Sequence, residues 1–139
     1  MKSSLILLAL FFIPVTVFAQ SPASPKAMVE TFLSSVQKGN INPAFDQLFI
    51  GSSIPTDKPQ ALAALKQQTL GGLPIFGKVL GYEFVLEEQL SESVVRYLYF
   101  LKLEKMPTTW EFYFYKPKSQ WVLVNIMFTD QFNLLGTKK

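Results

Sequence analysis

The apolar residues of this chain change their spacing once, between Leu70 and Lys78, and that single change restricts the folds open to it. From Ser24 to Leu70 they recur every third or fourth position, as in helices that bury one face; from Lys78 to Asp130 they alternate, as in strands that bury one face. Helices first and strands second predict an α+β domain, its helices packed against an antiparallel sheet.

The helical part divides into three. Ser24 followed by Pro25 is a cap and first-turn pair, and Met28, Val29, Phe32, Leu33 and Val36 share one face of a helix that Gly39 ends. Asn42-Pro43 repeats the start signal for a short second helix with Phe45, Leu48 and Phe49 on its apolar side, stopped by Gly51. Thr56 or Asp57 is expected to cap a third, with Pro59 in its first turn, Leu62, Leu65 and Thr69-Leu70 on its buried face, and Gly71-Gly72 as its end. The run Gly71-Gly72-Leu73-Pro74-Ile75-Phe76-Gly77 lacks the Lys-Ser/Thr of a phosphate-binding loop and follows a helix instead of a strand, so it reads as a bend.

Four strands are expected, the first over residues 78–86 with Tyr82, Phe84 and Leu86 on one side, followed by an acidic turn over residues 87–92. A connection of Lys105-Met106-Pro107-Thr108 pairs Leu103 with Trp110, Leu101 with Phe112 and Tyr99 with Phe114 on one face, and Lys102 with Glu111 on the other. Apolar then meets apolar and charge meets opposite charge, which is how a correct register behaves. A loop over residues 116–120 pairs Phe114 with Val122, Phe112 with Val124 and Trp110 with Ile126. That face, extended by Phe128, is the expected core side. The reverse face carries Leu98, Phe100, Tyr113, Tyr115, Trp121, Leu123 and Met127 beside Lys102, Glu111 and Asn125, which is too apolar for a sheet surface facing only water.

Residues 1–19 read as a secretory leader: Lys2, an apolar stretch over residues 5–13, Pro14, and Val17 and Ala19 at the −3 and −1 positions of a cleavage site. The stretch is shorter than the roughly 20 residues a membrane-spanning helix needs. Cleavage after Ala19 leaves residues 20–139 as a single domain, with its folded core over about 25–130. Loss of Lys2 leaves 12 basic against 10 acidic residues and a single arginine, Arg96, without the basic stripe that a nucleic-acid partner requires. With no cysteine the chain has no disulfide and no lipid anchor on an N-terminal Cys, so packing alone must hold it, and no membrane association is expected after cleavage. None of Asn40, Asn42, Asn125 and Asn133 begins a glycosylation sequon, so the expected location is the bacterial periplasm or the extracellular medium.

Three short N-terminal helices, a glycine bend and an antiparallel meander resemble the nuclear transport factor 2-like superfamily, the cone-shaped α+β fold also seen in ketosteroid isomerases and polyketide cyclases. The resemblance covers about residues 25–130 and is carried by Asn42-Pro43-Ala44-Phe45-Asp46-Gln47-Leu48-Phe49 after the first helix and by Phe112-Tyr113-Phe114-Tyr115 followed by Trp121-Val122-Leu123-Val124. It implies a strongly curved sheet of four or more strands wrapped around helices, a pocket at the open end of the cone, and dimerisation through the outer sheet face. That superfamily hosts enzymes, binders and assembly domains, so function must be argued from side chains.

The absence of histidine and cysteine removes the usual zinc and copper ligand sets and the Ser-His and Cys-His dyads, and no metal or cofactor is expected. The remaining acid–base route is a carboxylate base with a tyrosine donor, for which Asp46, Glu83 and Asp130, and Tyr82, Tyr97 and Tyr99, are candidates. Glu87, Glu88 and Glu92 lack the spacing of a calcium loop. The leading expectation is an exported non-catalytic domain that forms a homodimer or binds a protein partner through Leu98, Phe100, Tyr113, Tyr115, Trp121 and Leu123. The second is a binder of a small apolar molecule in a pocket bounded by Phe32, Phe45, Tyr99, Trp110 and Phe112. The third is an isomerase-like enzyme with a buried carboxylate at that pocket.

Overall fold

The structure, a computed structural model, describes residues 23–131; residues 1–22, which include the expected leader, and residues 132–139 lie outside the described residues. Helices α1 (Pro25–Gln37), α2 (Ile41–Leu48), α3 (Ile54–Asp57) and α4 (Pro59–Gly72) and a 3₁₀ turn (Leu73–Phe76) precede four strands, β1 (Val79–Ser91), β2 (Val94–Leu103), β3 (Thr108–Tyr115) and β4 (Val122–Thr129). The strands form one antiparallel sheet in the order β1-β2-β3-β4. The architecture is therefore α+β, helices before sheet.

Local signals account for the first two helices. The Ser24 hydroxyl accepts the Ala27 N–H at 3.2 Å, and Val29, Phe32, Leu33 and Val36 are buried along one face of α1. Gly39 and Gly51 close α1 and α2 at φ +81° and +80°, a region glycine enters without strain. The third helical region differs from expectation. Neither Thr56 nor Asp57 caps it: these residues belong to the single turn of α3, and α4 starts after Lys58. The α-helix does end at Gly72, the second glycine of the expected stop, but a 3₁₀ turn continues from it. The chain reverses at Gly77, φ +92°, where a Cβ would stand 2.6 Å from the Glu104 carboxylate that accepts the Lys78 N–H.

The side chains of β2 and β3 alternate as the sequence predicts, but against other partners. Tyr99 faces Trp110, Tyr97 faces Phe112 and Leu101 faces Thr108, so each β2 residue meets a β3 residue four positions earlier than expected. An even shift preserves every face, and the inner side of β2 and β3 remains apolar. The Lys102–Glu111 pair does not form. Lys102 bonds Glu83 across β1 at 2.9 Å, and Glu111 bonds Arg96. The connection is longer than expected because Lys105 is held by Phe76 O through its N–H and by Ile75 O through its ammonium, at 3.0 and 2.9 Å, which ties it to the Gly77 bend.

Strand β4 carries the largest correction. Phe114 pairs with Leu123, not Val122, and a bulge between Tyr113 and Phe114 leaves Val124 as the extra residue. Leu123 is fully buried in the core while Val124 is 40 % exposed, the reverse of the expected assignment. Ser52, in the α2–α3 loop, donates its hydroxyl to Leu123 O at 2.7 Å and so holds the bulged backbone in place. Strand β1 has three more irregularities, at Leu80, Val85 and Leu90. It also runs through the expected acidic turn, because Glu88 is paired with Arg96 of β2; the turn is left to Glu92 and Ser93. The shift at Val85 sends Tyr82 and Phe84 inward and Leu86 outward, opposite Leu98.

Candidate functional site

The inner face of the sheet is packed with rings. Phe32 of α1 lies 5.0 Å from Phe45, 5.5 Å from Trp110 and 5.7 Å from Phe112, and Trp110 stacks on Phe128 at 4.7 Å. The buried Trp110 indole N–H is satisfied by the Thr108 hydroxyl at 2.9 Å. All five residues expected to bound a pocket, Phe32, Phe45, Tyr99, Trp110 and Phe112, are buried in this cluster. They meet one another ring to ring there. Phe32 also borders a cleft, from the far side of α1. Aromatic alternation identifies a core face but cannot say whether the rings meet at its centre.

At the margin of that core is a polar cluster that sequence reasoning missed. The Tyr99 hydroxyl donates to the Glu30 carboxylate at 3.1 Å, and Lys26, one helical turn before Glu30, is ion-paired to the same oxygen. Lys26 also sits 5.2 Å from the centre of the Phe84 ring. The hydrogen bond from Lys26 draws the Glu30 carboxyl below its ordinary pKa, outweighing partial burial, and the Tyr99 hydroxyl acts in the same direction. Burial, then the charge of Glu30, raise the Tyr99 pKa. Tyr97 is pushed up to about 12 by burial and by the neighbouring Glu87. A carboxylate held ionised by an ammonium is a weak base, and tyrosines held protonated beside anions are weak acids. The arrangement is that of a buttressed ion pair. The other candidate carboxylates are spent or exposed: Asp46 bonds Lys66 at 2.6 Å, Glu83 bonds Lys102, and Asp130 lies on the surface. Glu87 and Glu88 point to opposite faces of β1, and no group of three acidic, histidine or cysteine side chains able to hold a metal occurs among the described residues. The 3.6-residue stripe of α1 conceals Glu30, which looks like one more solvent-facing position beside Val29; its partner is 69 residues away.

Trp121 is displaced from the face assigned to it. It precedes β4, packs against the core cluster, and carries the Lys116 ammonium 5.0 Å over its ring. With Phe32, Met28, Gln47 and Ile50 it borders a cleft of about 510 Å³ between the start of α1, α2 and the β3–β4 loop. Leu123 is displaced as well, into the core. The remaining four residues of the expected interface, Leu98, Phe100, Tyr113 and Tyr115, do share the outer face.

Strand pairing orders that outer face in rows across the sheet. Glu83, Phe100, Thr109 and Thr129 form the first; Leu86, Leu98, Glu111 and Met127 the second; Glu88, Arg96, Tyr113 and Asn125 the third; Ser91, Val94, Tyr115 and Val122 the fourth. Arg96 ties the middle together, bonding Glu111 at 2.9 Å and Glu88 at 3.0 Å and lying over the Tyr113 ring, while Tyr113 donates its hydroxyl to Glu111. Burial alone would lower the pKa of this guanidinium; the two carboxylates outweigh that and raise it. The fourth row is apolar across three strands, with Tyr115 39 % exposed, and Met127 in the second row is 45 % exposed.

No protein-family model matches the chain, and no curated protein matches it. Among solved structures, the fold superposes on a Campylobacter jejuni protein described as an NTF2-like transpeptidase, with a TM-score of 0.57 over 74 % of this chain and 99 % of that one, at 7 % identity. The chain thus has the NTF2-like fold. At that identity the likeness carries the fold alone.

Proposed function

We propose that this protein is an exported, non-catalytic binding domain that pairs with a second copy of itself through the fourth row of its outer sheet face. The observation that carries the reading is the line Val94, Tyr115 and Val122, with Tyr113 beside it and the Arg96–Glu88–Glu111 network as its charged border. An aromatic and aliphatic centre rimmed by charge is the anatomy of a protein interface. Export rests on the leader pattern of residues 1–19. The non-catalytic reading rests on the Glu30–Tyr99 cluster, where the lowered pKa of Glu30 makes it a weaker base and the raised pKa of Tyr99 a weaker acid.

Sedimentation of the mature chain is expected to show a dimer that Tyr115→Asp converts to a monomer of unchanged circular dichroism. A parent protein that stays monomeric at high micromolar concentration sinks the reading. A second function, binding of a small apolar molecule, is favoured by one observation: the Trp121 ring borders the 510 Å³ cleft, within the usual size range of ligand sites. It moves the expected pocket from the inside of the cone to the outside of α1. Quenching or shift of Trp121 fluorescence by an apolar probe, abolished in Trp121→Phe with Trp110 retained, supports it; a response that persists in that variant removes it.

A further inference from the structure

A second cleft, of about 670 Å³, lies between the C-terminal ends of α1 and α4, the 3₁₀ turn and the first residues of β1. None of the five rings expected to bound a pocket lines it, and it shares no residue with the cleft at Trp121. Much of its lining is apolar: Val36, Ile41 and Leu73 are buried, Val79 is half-buried, and Leu70 stays 38 % exposed. Hydrogen bonds between distant segments fix its walls. The Gln37 amide donates to Leu80 O at 3.3 Å, tying the end of α1 to β1, and the Glu104 carboxylate accepts the Lys78 N–H at 2.9 Å, holding the end of β2 against the Gly77 bend. The cleft is thus formed before any ligand arrives, as small-molecule sites usually are, and its volume is in their range.

The mouth of this cleft carries an excess of positive charge. Lys38 and Lys78 both line it and are exposed, and neither ammonium has an ion-pair or hydrogen-bond partner among the described residues. Lys26, Lys66 and Lys102, by contrast, are ion-paired. Glu104 is the one acidic side chain on the lining, and its carboxylate is already turned onto the backbone of the bend. Two lysines against one carboxylate leave the lining with a net charge of +1. Apolar walls carrying an excess of one charge concentrate ions of the other sign. Lysine stems run along apolar surface while their ammonium groups stay in water, so this lining suits a molecule with an apolar body and an anionic end at the mouth.

We propose that this cleft binds a single-chain anionic amphiphile, a free fatty carboxylate, whose chain lies on Val36, Ile41, Leu70, Leu73 and Val79 and whose carboxylate is met by Lys38 and Lys78. The single negative charge of the head matches the net charge of the lining. The occupant is a monomer taken from solution, since the apolar surface is the recessed lining of a cleft. The site rests on neither the fourth row of the outer face nor the Trp121 cleft.

Calorimetric titration of the full mature chain with carboxylates from octanoate to dodecanoate, each below its micelle concentration, tests the site. The expected result is one-to-one binding that tightens about fourfold per added CH₂ and is retained in Trp121→Phe. Binding of dodecanoate should weaken about tenfold or more when Lys38→Glu is combined with Lys78→Glu, at unchanged circular dichroism. That charge-reversed variant should instead bind dodecyltrimethylammonium, a preference that a misfolded chain would not acquire. No binding of dodecanoate by the parent, or equal binding by the charge-reversed variant, overturns the proposal. Loss of binding in Trp121→Phe assigns the ligand to the other cleft and overturns it as well. Co-sedimentation with phosphatidylglycerol vesicles without binding of monomeric dodecanoate assigns the surface to a membrane and has the same consequence. Sedimentation of Tyr115→Asp reads the dimer separately, so either can fail alone.

Discussion

The two faces of one sheet follow the same alternation and do opposite work. On the inner face Tyr97, Tyr99, Trp110, Phe112 and Phe114 meet ring to ring and meet the helices, and burial of their surface holds the domain together without any disulfide. On the outer face the same strands place Arg96 between Glu88 and Glu111, interrupting the apolar rows with charge. An aromatic residue therefore means core on one side and surface on the other, and hydrophobicity alone does not distinguish Phe112 from Tyr113. What distinguishes them is whether an opposing layer exists.

The contrast can be broken at four places. Phe112→Ala should cost about 3–5 kcal/mol in denaturant unfolding, against about 1 kcal/mol or less for Tyr113→Ala; equal losses would show that the outer face is as tightly covered as the inner. Across the bulge, Leu123→Ala should cost about 2–5 kcal/mol and Val124→Ala within about 0.5 kcal/mol, and the reverse order would restore the unbulged register.

Alkaline pH separates the faces by chemistry. The folded pKa of Tyr97 is raised from 10.0 to about 12, so its neutral hydroxyl contributes fully below pH 10 and the contribution is lost as pH climbs toward 12. Unfolding midpoints followed across that window should fall in the parent and fall less in Tyr97→Phe; parallel curves would mean that Tyr97 is solvated. The smallest effect belongs to the outer network. A double-mutant cycle on Arg96→Ala and Glu111→Gln should yield a coupling of about 1 kcal/mol, reduced by salt, since both side chains retain some solvent contact. A much larger value would place that pair under a permanent cover.

Much of this layout is legible in the chain. Ser24-Pro25, the Val29–Phe32–Leu33–Val36 stripe and the alternation through β2 and β3 are local patterns, and local geometry settles them. Three features are not. The four-residue offset of β3 depends on Glu104 and Lys105 being held at the Gly77 bend. The Val124 bulge depends on Ser52, 71 residues from the carbonyl it bonds. The Glu30–Tyr99 contact joins a helix to a strand that the sequence separates widely. Each is a distant hydrogen bond of the kind a periodic pattern cannot encode. The same limit explains why Trp121 and Leu123 were expected on the outer face, since one extra residue in a strand exchanges the faces of everything beyond it.

Read by itself, the amino-acid order determined the succession of helices and strands, the inward side of β2 and β3, and the exclusion of histidine- or thiol-based chemistry, because composition and a repeat of two or 3.6 residues are properties of neighbours. Only the tertiary structure decided that Phe32, Trp110 and Phe112 meet in one aromatic cluster, that Leu123 turns in while Val124 turns out, and that Leu98 and Thr109 are buried on the face away from the helices. Those outcomes depend on which surfaces come to lie opposite one another, and in a sheet that opposition is set by contacts made across the whole chain.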